Sequence, residues 1–198
     1  REYNVDSIVI YDGVDTWFFR PRPRKRYHER LQILFVGRYV ELKKPHYVLK
    51  MAKYFPQCDF AMYGRGDSSS LIAEASKLKN AKVNPPVPHE RMPYIYAHSD
   101  ILLFPSVREG FSNVILEASA CGLPTICFNR SSFPEIVQHG TSGFLSNNLN
   151  EMREHLEYLI LDEESRREFS KNARQKALEF DWDVIAPKWA KLFEQVIE

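Results

Sequence analysis

The stretch from Asp100 to Pro124 constrains this chain most. An apolar run, Asp100–Pro105, leads through Glu109-Gly110 into a helix-compatible segment that reaches Cys121; Gly122 follows, and Pro124 opens the next apolar run. A short continuous apolar run is the pattern of a buried strand. Ser112 or Asn113 supplies the helix cap, and Gly122 suits the residue that ends a helix. Strand, turn, helix and strand in this order predict a βαβ unit with parallel strands.

The same rhythm runs back to Gln32. Ile33–Val36 predicts a strand ending at Gly37-Arg38, and Pro45–Phe55 a helix with Val48, Leu49 and Ala52 on one face. Asp59–Tyr63 predicts a strand ending at Gly64-Arg65-Gly66, followed by Asp67 or Ser68 as cap and a helix over Ser70–Leu78. Ala81–Val83 is a short strand, Glu90–His98 a helix, Asp100–Phe104 and Thr125–Phe128 strands, and Pro134–Gln138 a short helix. Gly143–Leu145 is a last apolar piece, and Asn150–Glu198 is helical with a break near Phe180-Asp181. Repeated βαβ units predict an α/β fold: a Rossmann-like, doubly wound parallel sheet with helices on both faces, plus C-terminal helices. Before Gln32 the pattern changes. Residues 4–10 predict a strand ending at Asp12-Gly13, and the Pro- and Arg-rich Phe18–Arg30, with Arg20, Arg22, Arg24, Lys25 and Arg26, predicts a linker or domain boundary.

Hydrophobic residues at 44% and charged residues at 27% describe an ordinary globular protein. A net charge of +1 argues against bulk attraction to nucleic acid while leaving room for local basic patches. No apolar run approaches the length of a membrane span. No secretory leader is legible, and a chain opening on Arg1 leaves room for one upstream. Cys58, Cys121 and Cys127 lie in apolar segments without a C-x-x-C, which predicts buried thiols and a reducing, cytoplasmic compartment. In that setting the sequon Asn129-Arg130-Ser131 is accidental. The six histidines lack metal-ligand spacing, and no metal is predicted.

Ligands of such sheets bind beyond the carboxyl ends of the strands, where Gly37-Arg38, Gly64-Arg65-Gly66 and Glu109-Gly110 all fall. Glu109 on the loop and Glu117 on the second helical turn bracket a helix N-terminus suited to phosphate. A phosphate flanked by carboxylates that accept hydroxyl hydrogen bonds is what a sugar nucleotide needs. Arg38, Lys43 and Lys44 are either surface charges or the cations that steady a departing diphosphate. Gly64-Arg65-Gly66 is either a permissive turn or a place of backbone approach; it lacks the third glycine and following acid of a dinucleotide fingerprint. No Ser-His-Asp or Cys-His set and no Walker lysine is visible. Eight positions along a turn and helix suit Glu109 and Glu117 to ligand contact better than to opposed acid and base.

Glu109-Gly110-Phe111-Ser112-Asn113 through Glu117-Ala118, with Cys121-Gly122-Leu123-Pro124, resembles the E-x7-E signature of retaining family-4 (group 1) glycosyltransferases of the GT-B fold. Asp12-Gly13-Val14-Asp15, Gly37-Arg38 with Lys43, Pro134-Glu135-Ile136-Val137 and His139-Gly140 with Gly143-Phe144-Leu145 resemble it in the same order. The resemblance implies the C-terminal, donor-binding half of a two-domain enzyme. Residues 1–30 are then the end of the other domain and the linker, 31–180 the nucleotide-sugar-binding domain, and 181–198 a helix that packs back on the missing domain. It implies that Arg38 and Lys43 meet the donor diphosphate, Glu109 the sugar hydroxyls and Glu117 the ribose. The backbone of Gly110, Phe111, Ser112 and Asn113 lies by sugar and phosphate, with Gly37, Lys44, Gly64, Arg65 and Gly66 also at the donor.

The implied reaction moves a mannose- or glucose-type unit from GDP-mannose or a UDP-sugar, with no metal or cofactor, to a glycan or lipid-linked acceptor held by the missing N-terminal domain. It implies no nucleic-acid partner, and peripheral contact with the inner face of a membrane for the whole protein. A non-catalytic nucleotide-sugar module or a sugar-nucleotide epimerase of related fold are the alternatives. The chain departs from the family pattern at Ser112 and Lys44, each in place of a usual Gly, and at Ser131-Ser132, where two glycines often stand.

Overall fold

A computed structural model describes residues 8–23 and 30–197. Its elements are β1 (Gln32–Val36), α1 (Pro45–Tyr54), β2 (Asp59–Tyr63), α2 (Ser69–Ala75), β3 (Ala81–Asn84), α3 (Met92–Ala97), β4 (Ile101–Phe104), α4 (Asn113–Ala120), β5 (Thr125–Phe128), α5 (Phe133–Ile136), β6 (Gly143–Ser146), α6 (Leu149–Leu161), α7 (Glu163–Leu178) and α8 (Trp182–Ile197). The strands make one parallel sheet in the order β3-β2-β1-β4-β5-β6, as the repeated βαβ units require. The order reverses between β1 and β4, and there the crossovers part to open a crevice at the carboxyl edge.

Successive strand side chains point to opposite faces, so each strand feeds two cores. Ile33 and Phe35, Ile101 and Leu103, and Ile126 and Phe128 join α1 and the α6 residues Met152, Leu156 and Leu159 on one side. Leu34, Leu102, Phe104 and Cys127 join Tyr96, Ile115, Leu116, Ala177 and Ile185 on the other. Every residue of β4 and β5 is buried, which is why those runs are continuously apolar rather than alternating. Truncating one of these leucines to Ala costs about 2–5 kcal/mol. All three cysteines are free and buried. Burial pushes the Cys58 thiol up to about 11 and that of Cys121 to about 12, so neither supplies a thiolate at neutral pH.

The expected strand at residues 4–10 is corrected where it is described: Ile8–Ile10 form none, and Ile8 and Val9 are 67% and 70% exposed, so this short run has no buried face to hold it in a ladder. Residues 4–7, and Arg24, Lys25 and Arg26 of the basic run, lie outside the described residues. The helix expected to Leu78 stops at Ala75, and that expected over Pro134–Gln138 spans Phe133–Ile136. The helix expected from Glu90 opens as a 3-10 turn, His89–Arg91, before α3. The C-terminal region breaks a second time at Asp162, whose carboxylate accepts from the Ser165 N–H at 2.9 Å and caps α7.

Part of the Pro- and Arg-rich segment packs on the domain. Phe19 is buried, and Arg174 of α7 donates to the carbonyls of Phe19 at 2.9 Å and Ala120 at 2.7 Å. Val14 makes a parallel bridge to Asp181: its N–H donates to the Phe180 carbonyl at 2.8 Å, and the Trp182 N–H donates back to the Val14 carbonyl at 3.2 Å. The Asp181 carboxylate accepts from both the backbone and hydroxyl of Thr16.

Candidate functional site

The site is built on the loops after β1, β2 and β4. The Gly37 N–H donates to the Tyr63 carbonyl at 3.0 Å, the Tyr39 N–H to that of Arg65 at 2.9 Å, and the Tyr39 hydroxyl to that of Asn84 at 2.6 Å. These bonds lock the first two loops side by side. A Cβ on Gly64 would stand 1.9 Å from the Gly37 carbonyl oxygen, so only glycine fits. Gly66 has φ +120°, a conformation open to few other residues. The Gly64-Arg65-Gly66 turn is therefore fixed by packing, whatever binds above it. Gly37, Arg38, Gly64 and Arg65 line a cleft of about 220 Å³ together with Val87 and Met92.

Beyond Arg38 the chain makes a 3-10 turn, Glu41–Lys43, and then places Lys44 in the left-handed region at φ 48°. This kink separates the two lysines. Lys44 turns out to an ion pair with Glu41, while Lys43 reaches across the crevice to an ion pair with Glu109. The Lys43 and Glu109 side chains are 13% and 16% exposed, so this pair is largely shielded from water. Burial, and then the charge of Arg38, hold the Lys43 ammonium below the usual lysine range. The Val107 N–H donates to the Leu42 carbonyl at 2.9 Å, stitching the loop after β4 to the same turn.

Glu109 is also held through its backbone. Its N–H donates to the Ser131 hydroxyl at 3.1 Å, and that hydroxyl donates to its carbonyl. Gly110 has open space where a Cβ would sit. The Phe111 ring stacks on Tyr11 at 5.3 Å, which turns it away toward the N-terminal segment. Ser112 is the cap of α4, accepting weakly from the Ile115 N–H at 3.5 Å, and Asn113 is the first helical residue. The hydroxyl at position 112 is thus spent on the helix end.

Glu117 lies one turn into α4 with both oxygens engaged. The Tyr96 hydroxyl donates to Oε2 at 3.0 Å, and His89 Nε2 lies 3.2 Å from Oε1. Burial raises the Glu117 carboxyl above its usual range; the hydrogen bonds from His89 and Tyr96 offset part of that rise. The His89 ring rests between Phe18, stacked at 5.8 Å, and Phe19, edge-on at 5.3 Å. A cleft of about 440 Å³ opens beside them, lined by Asp15, Phe18, His89, Asn113, Glu117 and Trp182.

Of the residues singled out from sequence, Lys43 and Glu109 are brought into contact, Arg38 is close enough to act on Lys43 through its charge, and Lys44 is directed elsewhere. Sequence reasoning missed His89 and Tyr96, each joined to the Glu117 carboxylate by a contact at least 21 positions long, and it marked Ser131 only as a departure from glycine, not as a partner of the Glu109 backbone. Among the described residues no three His, Cys, Asp or Glu side chains gather to hold a metal, and no helix is long and apolar enough to cross a membrane. Chemically, the crevice offers a helix N-terminus and two cations to an anion, and two half-buried carboxylates to hydroxyl groups.

The family model for glycosyl transferases group 1 matches residues 18–176. A D-inositol 3-phosphate glycosyltransferase of Thermobispora bispora is 27% identical over 96% of this chain and 50% of its own length. An N-acetylgalactosaminyltransferase of Campylobacter jejuni, named for a diphospho-undecaprenol acceptor, is 28% identical over 72% of this chain and 38% of its own. Among solved structures, Anabaena HepE in complex with UDP-glucose superposes with a TM-score of 0.84 at 22% identity, covering 95% of this chain and 57% of that one. The C-terminal domain of a group 1 glycosyl transferase from Francisella tularensis gives a TM-score of 0.73 at 21% identity, covering 84% of this chain and 97% of that one. The chain spans about half the length of the first relatives it matches. With the family model covering most of its length, the chain belongs to the group 1 glycosyltransferases.

Proposed function

We propose that this chain is the donor-binding half of a retaining glycosyltransferase that uses a nucleotide-diphosphate sugar. The meeting of Lys43 and Glu109 at the switch point, beside the capped N-terminus of α4, carries the reading. In it Arg38 and Lys43 hold the diphosphate and stabilise its charge as the sugar leaves, and Glu109 accepts from the sugar hydroxyls. Glu117, oriented by Tyr96 and His89, accepts from the ribose. Backbone N–H groups of Phe111–Asn113 complete the phosphate site. Gly37, Gly64 and Arg65 line the cleft for the base, Gly66 sets the turn beside them, and Gly110 leaves room for the sugar. Lys44 is left out of the donor set, since Glu41 holds it.

The donor is a UDP-sugar or GDP-mannose carrying a glucose- or mannose-type unit, and no metal takes part. The UDP-glucose complex of HepE supports the first of these. The acceptor, a glycan or lipid-linked glycan, is bound by a partner domain outside this chain, and the whole enzyme works in the cytoplasm at the inner face of a membrane. A lipid-linked acceptor is supported by the name of the Campylobacter relative. Residues 31–180 are the donor domain, 1–30 the linker into it, and 181–198 the helix that returns to the partner domain.

Calorimetric titration with UDP- and GDP-sugars tests the reading. Binding of one nucleotide series, weakened in both Arg38→Ala and Glu117→Ala, is expected. Binding that neither substitution weakens would place the donor elsewhere. The chain alone is expected to transfer poorly, and brisk transfer without a partner domain would contradict the division of labour.

A further inference from the structure

We infer that Ser131 is a positioning residue for Glu109, and that it serves recognition of the transferred sugar rather than of the nucleoside diphosphate. The inference rests on the donor-site reading above and concerns the loop after β5, to which that reading assigns nothing. Ser131 stands in the left-handed region at φ 58°, where a residue with a Cβ is strained and glycine is at ease. Serine at such a position keeps the strain and gains a hydroxyl. That hydroxyl is used twice on one residue, accepting from the Glu109 N–H at 3.1 Å and donating to the Glu109 carbonyl.

The residues before Glu109 are held separately, the Val107 N–H donating to the Leu42 carbonyl at 2.9 Å and the Ser106 hydroxyl to the Arg108 carbonyl at 3.4 Å. Among the described residues Glu109 makes no other backbone hydrogen bond, and its neighbour Gly110 faces open space. Glu109 is thus fastened at two points, its backbone by Ser131 and its carboxylate by Lys43. A donor diphosphate competes for the Lys43 ammonium, because phosphate oxygens are charged acceptors of the same kind as a carboxylate. Once Lys43 turns to the diphosphate, the Ser131 hydroxyl alone keeps Glu109 aimed at the sugar. The clamp therefore matters little to a ligand that ends at the diphosphate, and fully to one that carries a hexose.

The test compares the unaltered chain with Ser131→Gly and Ser131→Thr by calorimetry, against UDP with UDP-glucose and GDP with GDP-mannose, with thermal unfolding alongside. For Ser131→Gly, the nucleoside diphosphate is expected to bind as before, and the nucleotide sugar roughly three- to tenfold more weakly, as for two hydrogen bonds that water partly replaces. Its thermal midpoint should hold or rise, since glycine relieves the left-handed strain. Ser131→Thr should show the mirror image: sugar preference kept with the hydroxyl, and a lower midpoint because a β-branched residue resists this backbone. Unchanged nucleotide-sugar affinity in Ser131→Gly overturns the inference and leaves the donor site standing. Equal loss of both ligands together with a lower midpoint reduces Ser131 to a structural role and overturns it too. Failure of the unaltered chain to bind either pair removes the donor-site reading and the inference with it.

Discussion

Lys43, on the loop after β1, donates from its ammonium to the carboxylate of Glu109, on the loop after β4, so the cation proposed for phosphate and the carboxylate proposed for sugar satisfy each other across the crevice. A donor must part them and give each a new partner. Glu109→Gln removes one side of this pair. It is expected to leave affinity for the nucleoside diphosphate equal or higher, because Lys43 is freed. Affinity for the nucleotide sugar should fall about tenfold, and parallel titrations would read the divergence. Equal loss for both ligands would mean that Glu109 supports the fold rather than the sugar.

The lowered range of Lys43 has a pH consequence. A lysine whose folded value lies below its ordinary 10.5 loses its proton, and with it the charge proposed to hold phosphate, at a lower pH than a surface lysine. Diphosphate affinity should therefore be highest on the acid side of that transition and decline as pH rises through it, before 10.5 is reached. Lys43→Arg keeps its charge throughout and is expected to flatten the alkaline limb. A decline of the same shape in both proteins would assign it to another group.

Glu117 shifts the other way. Its folded value is raised by burial above the ordinary 4.5, so the folded state takes up the proton more readily than the unfolded chain. The stability this contributes is present below the unfolded value and is lost as pH rises through the folded one. Glu117→Gln removes a buried charge and is expected to raise the thermal midpoint near pH 7, with the gain vanishing below about pH 4. Donor affinity should fall about 10- to 100-fold, as for losing a hydrogen bond to a charged acceptor. A midpoint that drops at pH 7 would show the ionised carboxylate to be stabilising after all.

Two glycines should respond in opposite ways. Gly64→Ala drives a Cβ into the Gly37 carbonyl at 1.9 Å and should cost about 2–4 kcal/mol in chemical denaturation, since backbone cannot step aside as a side chain can. Gly110→Ala meets nothing within 4 Å and should leave stability unchanged. If the sugar lies over Gly110, the added methyl group weakens nucleotide-sugar binding alone.

The sheet was legible because its cause is local. Ile33–Val36, Asp59–Tyr63 and Thr125–Phe128 are apolar runs closed by turn residues, and each became a strand within a residue of its expected bounds. Ile8–Ile10 carried the same composition and failed: Ile8 and Val9 lie exposed, and composition does not say whether an apolar run finds a core to bury against. Glu109 and Glu117 could be read from the loop and helix that bear them. Which lysine faces the crevice could not, since it depends on one left-handed residue, Lys44, that is not a glycine. Tyr96 gave no signal at all, and Ser131 only that it stands where the family pattern often has glycine. A tyrosine on a buried helix face and a serine in a polar loop are unremarkable until the fold sets them against carboxylate-bearing residues 21 and 22 positions away.

The bridge between Val14 and Asp181 has a consequence in time as well as in space. A chain made from its N-terminus presents Val14 early, yet its partners Phe180, Asp181 and Trp182 are synthesised only after all six strands. The sheet can assemble strand by strand from neighbouring βαβ units, but this seam closes a loop in which Thr16 and Asp181 stand 165 positions apart. Until that last turn arrives, Val14 and Phe19 have core positions but no seam to seat them. A protein cut short within α7 would keep all six strands and leave Val14 and Thr16 without the partners that seat them.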